Sequence, residues 1–501
     1  MNIKHRIRLN SIWSIVYTVV LLLSGFVLPR LILAYYGSEI NGLINSISQF
    51  LLVFTFMELG IAAVAKTSLY DAVGRNDQLQ INRIVSAESR FYRSIGFVLV
   101  VYVAMLVVFY PRIINNEYNT LYTVILILTH SISMFAQYYF GVVDCCILDA
   151  FQEIYIYYIV QTVAVIINIA VSAIMIIEGF SIYWVKLITA VIYVVRPLVV
   201  RFYIDRRYSI NRREEYDKDP IHEKWNGVAQ HISFIILQST DTVLLTLFST
   251  LNIVSVYSVY NMVLSGMNSL VIAAVMSMTA VMGKLNAQNE KSELCHFFEK
   301  LKLGTHCMVA VCYGLTCALI VPFVLVYTAG ITDAEYEDRL FAFVIVLANA
   351  WSSLRIPYVQ IIQAIGGYKP TQKIFVLSAV INIGVSLALV DRHGLVGIAI
   401  GTLIAMTFQT IGLAVYVNRN LGYQSIWNEW KLFALDMIEI TAIFAVGFYI
   451  PMMEYDYRSW IVKAVETAAF SIIVIIAVQS IFNFKSFREL MVTITKKFAI
   501  R

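Results

Sequence analysis

The charges in this chain are spaced so that long stretches contain none. No Lys, Arg, Asp or Glu lies between Arg8 and Arg30, Glu117 and Asp144, Glu153 and Glu178, Lys302 and Asp333, or Arg392 and Arg419. Each gap holds the ~20 apolar residues that cross a ~30 Å hydrocarbon layer at ~1.5 Å per residue. Only 14% of the 501 residues are charged and 59% are hydrophobic, against roughly 25% charged in soluble proteins, which excludes an ordinary soluble enzyme. The chain reads as an all-α polytopic membrane protein.

The gap from Asp241 to Lys284 is too long for one crossing, and Ser249-Thr250-Leu251-Asn252 supplies the polar turn of a tight hairpin. Spans are predicted near residues 9–35, 40–69, 91–110, 119–143, 154–177, 181–203, 227–249, 253–283, 301–328, 340–364, 373–390, 395–417, 432–452 and 460–482. About fourteen helices put both termini on one side. That side carries 27 Lys and Arg, the other only four (Arg112, Arg339, Arg392 and Arg458), so the positive-inside rule makes the termini cytoplasmic. A basic start precedes the first span, as in a signal peptide, but no small-residue cleavage site is evident and further spans follow, so it reads as retained.

Short sequence matches recur at nearly one offset. Tyr70-Asp71-Ala72 pairs with Leu285-Asn286-Ala287, Asn168-Ile169-Ala170-Val171-Ser172 with Asn382-Ile383-Gly384-Val385-Ser386, and Tyr203-Ile204-Asp205-Arg206 with Tyr416-Val417-Asn418-Arg419. Each pair falls at the same place relative to the predicted helices, which implies two parallel-related six-helix lobes. The predicted organisation is a lobe at 1–203, a charged cytoplasmic linker at 204–226, a second lobe at 227–418, two additional spans at 419–482 and a basic tail at 483–501. Asn168 and Asn382 read as interhelical hydrogen-bond glue.

Little in the sequence supports catalysis. Gly60 to Thr67 matches a Walker motif only in its final Lys-Thr, no HExxH or paired metal-ligand spacing occurs, and the external loops are short. The six cysteines suggest neither a metal site nor a disulfide framework. The candidates for function are charges inside spans, each costly in lipid unless it faces a partner or a wet cavity. They are Arg30, Glu58, Arg196, Asp241 and Arg355, with Lys66 and Lys186 near span ends where they can snorkel. Pro29, Pro197 and Pro357 lie beside the three arginines, so kinks are predicted there. Two readings stay open. The arginines line a wet, positive chamber that receives an anion such as phosphate, or they pair with Glu58 and Asp241 as structural glue. The two carboxylates are likewise coupling-ion carriers or counter-ions.

Several features together resemble the bacterial polysaccharide (Wzx-like) flippases, exporters of O-antigen and capsule repeat units. They are the basic start, Tyr36-Gly37 and Gly42, Glu58-Leu59-Gly60, the amphipathic segment from Asp71 to Arg93, Ala150, and Ser239-Thr240-Asp241. That family is a branch of the superfamily that also holds multidrug extruders and the lipid II flippase. The resemblance implies alternating access between two lobes in the bacterial inner membrane. Its substrate class is an undecaprenyl-diphosphate-linked oligosaccharide moved from the cytoplasmic to the outer leaflet, its partners membrane lipids, a polymerase and other polysaccharide-assembly proteins, with no nucleic acid. The diphosphate would meet Arg30 and Arg355, assisted by Lys66 or Arg196. No cofactor is implied beyond H+ or Na+ coupling at Asp241 or Glu58. The alternatives are a cation-coupled multidrug exporter of the same superfamily and a membrane enzyme of polysaccharide assembly, a polymerase or an acyltransferase.

Overall fold

A computed structural model of the chain describes residues 3–58, 61–114, 120–216, 228–421, 426–452 and 454–499. Leu59 and Gly60, residues 217–226 of the predicted linker and Arg501 lie outside the described residues. The elements are α1 (Ile3–Val53), α2 (Ile61–Gly74), α3 (Gln78–Ile113), α4 (Thr120–Ala136), α5 (Val142–Ala150), α6 (Ile154–Ile177), α7 (Ile182–Arg207), α8 (Val228–Phe248), α9 (Leu251–Ala287), α10 (Lys291–Tyr327), α11 (Arg339–Leu354), α12 (Ile356–Ala364), α13 (Tyr368–Leu421), α14 (Ile426–Tyr449), α15 (Tyr457–Phe482) and α16 (Phe484–Ala499). A 3-10 turn, Phe54–Glu58, follows α1, and a π turn, Gln137–Gly141, joins α4 to α5.

Twelve continuous helical segments among the described residues are long and apolar enough to cross a membrane. The two longest break inside, at Gly37 (φ 86°) and Gly394 (φ 49°), in the left-handed region that a side chain disfavours. Each therefore crosses twice, and the twelve segments make fourteen crossings, as the charge gaps predict. The differences lie at the helix ends. Helix α10 begins at Lys291, ten residues before the predicted span, because a helix continues into polar surroundings where hydropathy no longer marks it.

Backbone geometry carries the repeat more clearly than the sequence does. Asn76 and Asn289, Gln152 and Gly366, and Gly179 and Gly394 all have positive φ, and each pair is separated by 213 to 215 residues. The repeated asparagines make equivalent bonds. Thr189 Oγ1 donates to Asn168 Oδ1 (2.7 Å) between α6 and α7, and Asn382 Nδ2 donates to Thr402 Oγ1 (3.0 Å) between the halves of α13. The glue reading of these asparagines is borne out.

By packing, the chain divides into two compact units, Met1–Ser255 and Val256–Arg501. The division falls inside α9 and not in the charged linker, because α8 lies along α1. Ser46 Oγ lies 2.7 Å from Thr246 Oγ1 and accepts from Tyr110 OH (2.6 Å), and Asn41 Nδ2 donates to Ser255 Oγ (2.8 Å). Gly42 makes this approach possible, since a Cβ there would stand 1.8 Å from the Leu251 carbonyl oxygen. Gly42→Ala is expected to force the helices apart, an overpacking cost of about 1–3 kcal/mol, and to lower the melting temperature in detergent. Gly25, with open space around its Cα, is the control position. An unchanged melting temperature for Gly42→Ala would contradict this packing.

In the second unit α10 is the axis, packed by α11, α14 and α15, while α13 covers α11. Tyr313 OH on α10 bonds Ser353 Oγ on α11 (2.7 Å), and Thr410 on α13 donates to the Trp351 carbonyl (2.8 Å). The two helices beyond the repeat, α14 and α15, therefore extend the second unit and form no third body.

Candidate functional site

The intramembrane cations fall into two groups according to what holds them. Lys66 on α2 forms an ion pair with Asp149 on α5 at 2.6 Å, so its charge is already offset within its own lobe. Arg355 sits at the junction between α11 and α12, where Pro357 enters the first turn of α12. Its Nε donates to the Ser352 carbonyl (3.1 Å) and its Nη1 to Gln409 Oε1 (2.6 Å). Gln409 is held in turn by Ser378, whose Oγ accepts from its amide at 2.9 Å. Arg196 on α7 donates to Gln161 Oε1 on α6 and to the Tyr193 carbonyl, and its guanidinium lies over the Tyr193 ring at 4.0 Å. Both arginines are half-buried, and among the described residues neither is paired with a carboxylate. Each is placed by a neutral amide that fixes the guanidinium and leaves its charge standing. Gln409 occupies the repeat position of Arg196, so the two lobes use one place in the fold for opposite ends of this contact.

Arg30 is half-buried on α1, directly after Pro29. Helices α1 and α7 run through Pro29 and Pro197, and only the Arg355–Pro357 site interrupts its helix. A proline deletes a single helical hydrogen bond while keeping a helical φ, so it does not force a break. The break in α1 is set instead by Gly37. Gly141, the repeat counterpart of Arg355, ends the π turn between α4 and α5, so both lobes carry a helix irregularity at this position and only the second equips it with a cation.

The two predicted carboxylates differ in surroundings. Glu58 ends the 3-10 turn and accepts from Tyr138 OH at 2.6 Å, from the π turn. Asp241 is 3% exposed in the middle of α8. Among the described residues, Glu58 forms no ion pair with an arginine.

A larger polar constellation escaped the sequence reading. Lys302 on α10 binds Glu429 on α14, whose other oxygen accepts from Tyr358 OH at 2.5 Å. One turn further, His306 Nδ1 lies 2.7 Å from Asp436 Oδ2. Next along α14, Glu439 accepts from the Gln479 amide of α15 at 2.8 Å. Lys302 lies at the end of a predicted span, where it counts among the cytoplasmic charges. Asp436 and Glu439 lie inside a predicted span, where the cost of charge in lipid was the signal that marks them. Glu88, fully buried on α3, is the repeat counterpart of Lys302 and was missed for the same reason.

No protein-family model matches this chain, and no curated protein matches it. Solved structures do. The lipid II flippase MurJ, in an inward closed conformation, superposes with a TM-score of 0.69 at 12% identity, covering 96% of this chain and 99% of that one. A multidrug resistance MATE family transporter of the MOP superfamily, inward-facing, gives 0.63 at 12% identity over 81% of this chain and 94% of its own. The Vibrio cholerae MATE transporter VcmN, in its bent form, gives 0.56 at 13% identity over 84% and 98%. This multi-pass membrane protein thus has the two-lobed helical fold found in MurJ and the MATE transporters.

Proposed function

We propose that this protein is a flippase that moves undecaprenyl-diphosphate-linked oligosaccharide from the cytoplasmic to the outer leaflet of the bacterial inner membrane, for assembly of a surface polysaccharide. The observation that carries the proposal is the arginine set aside from every carboxylate. Arg355 is oriented by Gln409 and Ser352, and the charge that this contact leaves standing suits a phosphate oxygen. Arg30 and Arg196 are the further candidates for the same anion. Lys66, engaged by Asp149, is assigned a supporting part, keeping α2 on α5. Asp241 and Glu58 stay the predicted coupling residues.

The fold shared with a lipid II flippase supports a lipid-linked substrate. Among the described residues Arg196 and Arg355 form no ion pair, which suits an anionic substrate. The absence of a Walker motif leaves an ion gradient or consumption of the product outside as the energy source. Termini in the cytoplasm follow from the 27-to-four division of Lys and Arg. The decisive experiment is deletion of the protein followed by a count of lipid-linked oligosaccharide in each leaflet. Accumulation in the inner leaflet is expected. Accumulation in the outer leaflet points to a polymerase defect and overturns the proposal.

A further inference from the structure

The polar line between α10, α14 and α15 contains more acid than base. Lys302 offsets Glu429, and His306, even when protonated, offsets one of the two carboxylates that remain, Asp436 and Glu439. His306, Asp436 and Glu439 are 0%, 1% and 0% exposed. His306 Nε2, Asp436 Oδ1 and Glu439 Oε2 have no hydrogen-bond partner among the described residues. Asp436 and Glu439 stand three residues apart on α14 and share a face. Ionising both would leave net negative charge in dry, apolar surroundings, which costs far more than placing a proton on one of them.

Glu439 is the residue placed to hold it. Asp436 has the imidazole at 2.7 Å, whereas the recorded donor to Glu439 is a neutral amide, Gln479, at one oxygen. The groups recorded against this carboxyl are Asp436 on its own helix, Cys307 from α10 and Gln479 from α15, with His306 bonded to Asp436 and the Lys302–Glu429–Tyr358 cluster nearly three turns back along α14. The hydrogen-bonded file continues to the surface. Gln479 accepts from Asn483 (2.9 Å), which accepts from exposed Lys431 (3.2 Å).

We propose that Glu439, beside the His306–Asp436 pair, is an exchangeable proton site, and that transport by this protein is coupled to protons through it. A proton from water on one side forms the O–H bond at Glu439 Oε2, neutralising the carboxylate, and returns to water on the other side. His306 Nε2, without a hydrogen-bond partner among the described residues, belongs to the neighbouring His306–Asp436 pair. A sodium site is disfavoured. Hard cations take about six oxygen ligands, and among the described residues no group of three His, Cys, Asp or Glu side chains that could hold a metal ion is found. Coupling rests on the transporter reading above; proton binding does not.

The recorded contact of Glu439 with α15 is one hydrogen bond from the Gln479 amide, which Glu439→Gln still accepts, so this variant separates proton binding from docking. Full-length protein in lipid nanodiscs is titrated while infrared difference spectra record the carbonyl stretch of protonated carboxyls, identified by its deuterium shift. Besides any band from the buried Glu88, one such band is expected in the wild type and is expected to vanish in Glu439→Gln. Asp436→Asn is expected to shift it, and serves if Glu439→Gln does not yield monodisperse protein. A band unchanged in these variants overturns the proposal. In proteoliposomes, stimulation of lipid-linked oligosaccharide transport by a pH gradient is expected to fall by about tenfold in Glu439→Gln, within the usual range of coupling free energies. Wild-type stimulation in that variant also overturns it. Gradient-driven movement of ethidium with none of the oligosaccharide keeps the proton site and rejects the flippase reading instead.

Discussion

Replacing Arg355 with alanine is expected to abolish export of the surface polysaccharide while the protein still reaches the membrane. The side chain is only half-buried, and its hydrogen bonds run to a carbonyl and an amide, so its removal strands no buried counter-charge. What disappears is the cation that meets the diphosphate. Loss of one partner from a desolvated, hydrogen-bonded charge pair costs about 2–5 kcal/mol, which is roughly 30-fold to several-thousand-fold in affinity. Arg355→Lys keeps the charge but loses the planar fork that donates two bonds at once, and an intermediate loss is expected. Gln409→Leu frees the guanidinium from its tether and should cost less than either. The measurement is surface polysaccharide per cell against tagged protein in the membrane fraction. Normal polysaccharide in the Arg355→Ala strain, with the protein present, removes Arg355 from the proposed site.

The fold was legible in the sequence because lipid imposes a single strong rule. A helix that crosses must be nearly free of charge for ~20 residues, and the gaps between Arg8 and Arg30 or between Glu153 and Glu178 show it directly. The breaks at Gly37 and Gly394 were placed correctly for the same reason, between two apolar runs. The candidate site was legible only in part. Arg196 and Arg355 stand out as charges within spans, but nothing local distinguishes them from Lys66. The difference is made by Gln161, Gln409 and Asp149, which arrive from other helices, the farthest 83 residues away in the chain. The polar line on α14 was hidden by a different effect. Lys302 and Glu429 stand at predicted span ends, where charge is ordinary, and only the docking of α14 on α10 takes both out of water.

That docking gives the second large effect. Lys302 and Glu429 are 2% and 4% exposed and bonded to each other, with Tyr358 donating to the second carboxylate oxygen. Lys302→Met leaves a buried carboxylate without its cation, a loss of about 3–5 kcal/mol, and the purified variant is expected to melt well below the wild type. Glu429→Gln strands the ammonium in the same way while still accepting from Tyr358. The double variant Lys302→Met/Glu429→Gln removes both charges, keeps that acceptor, and is expected to recover most of the stability, because a buried ion pair can be replaced by uncharged groups at little net cost. The coupling between the two substitutions should reach about 2 kcal/mol, at the upper part of the range for residues in contact. Strict additivity, with the double variant as unstable as the two single losses combined, would show that the pair does not hold α14 to α10. Recovery in the double variant means that neither charge is required for the helices to dock. Any loss of transport in such a refolded double variant would then be assigned to the charges themselves, which stand one turn from His306.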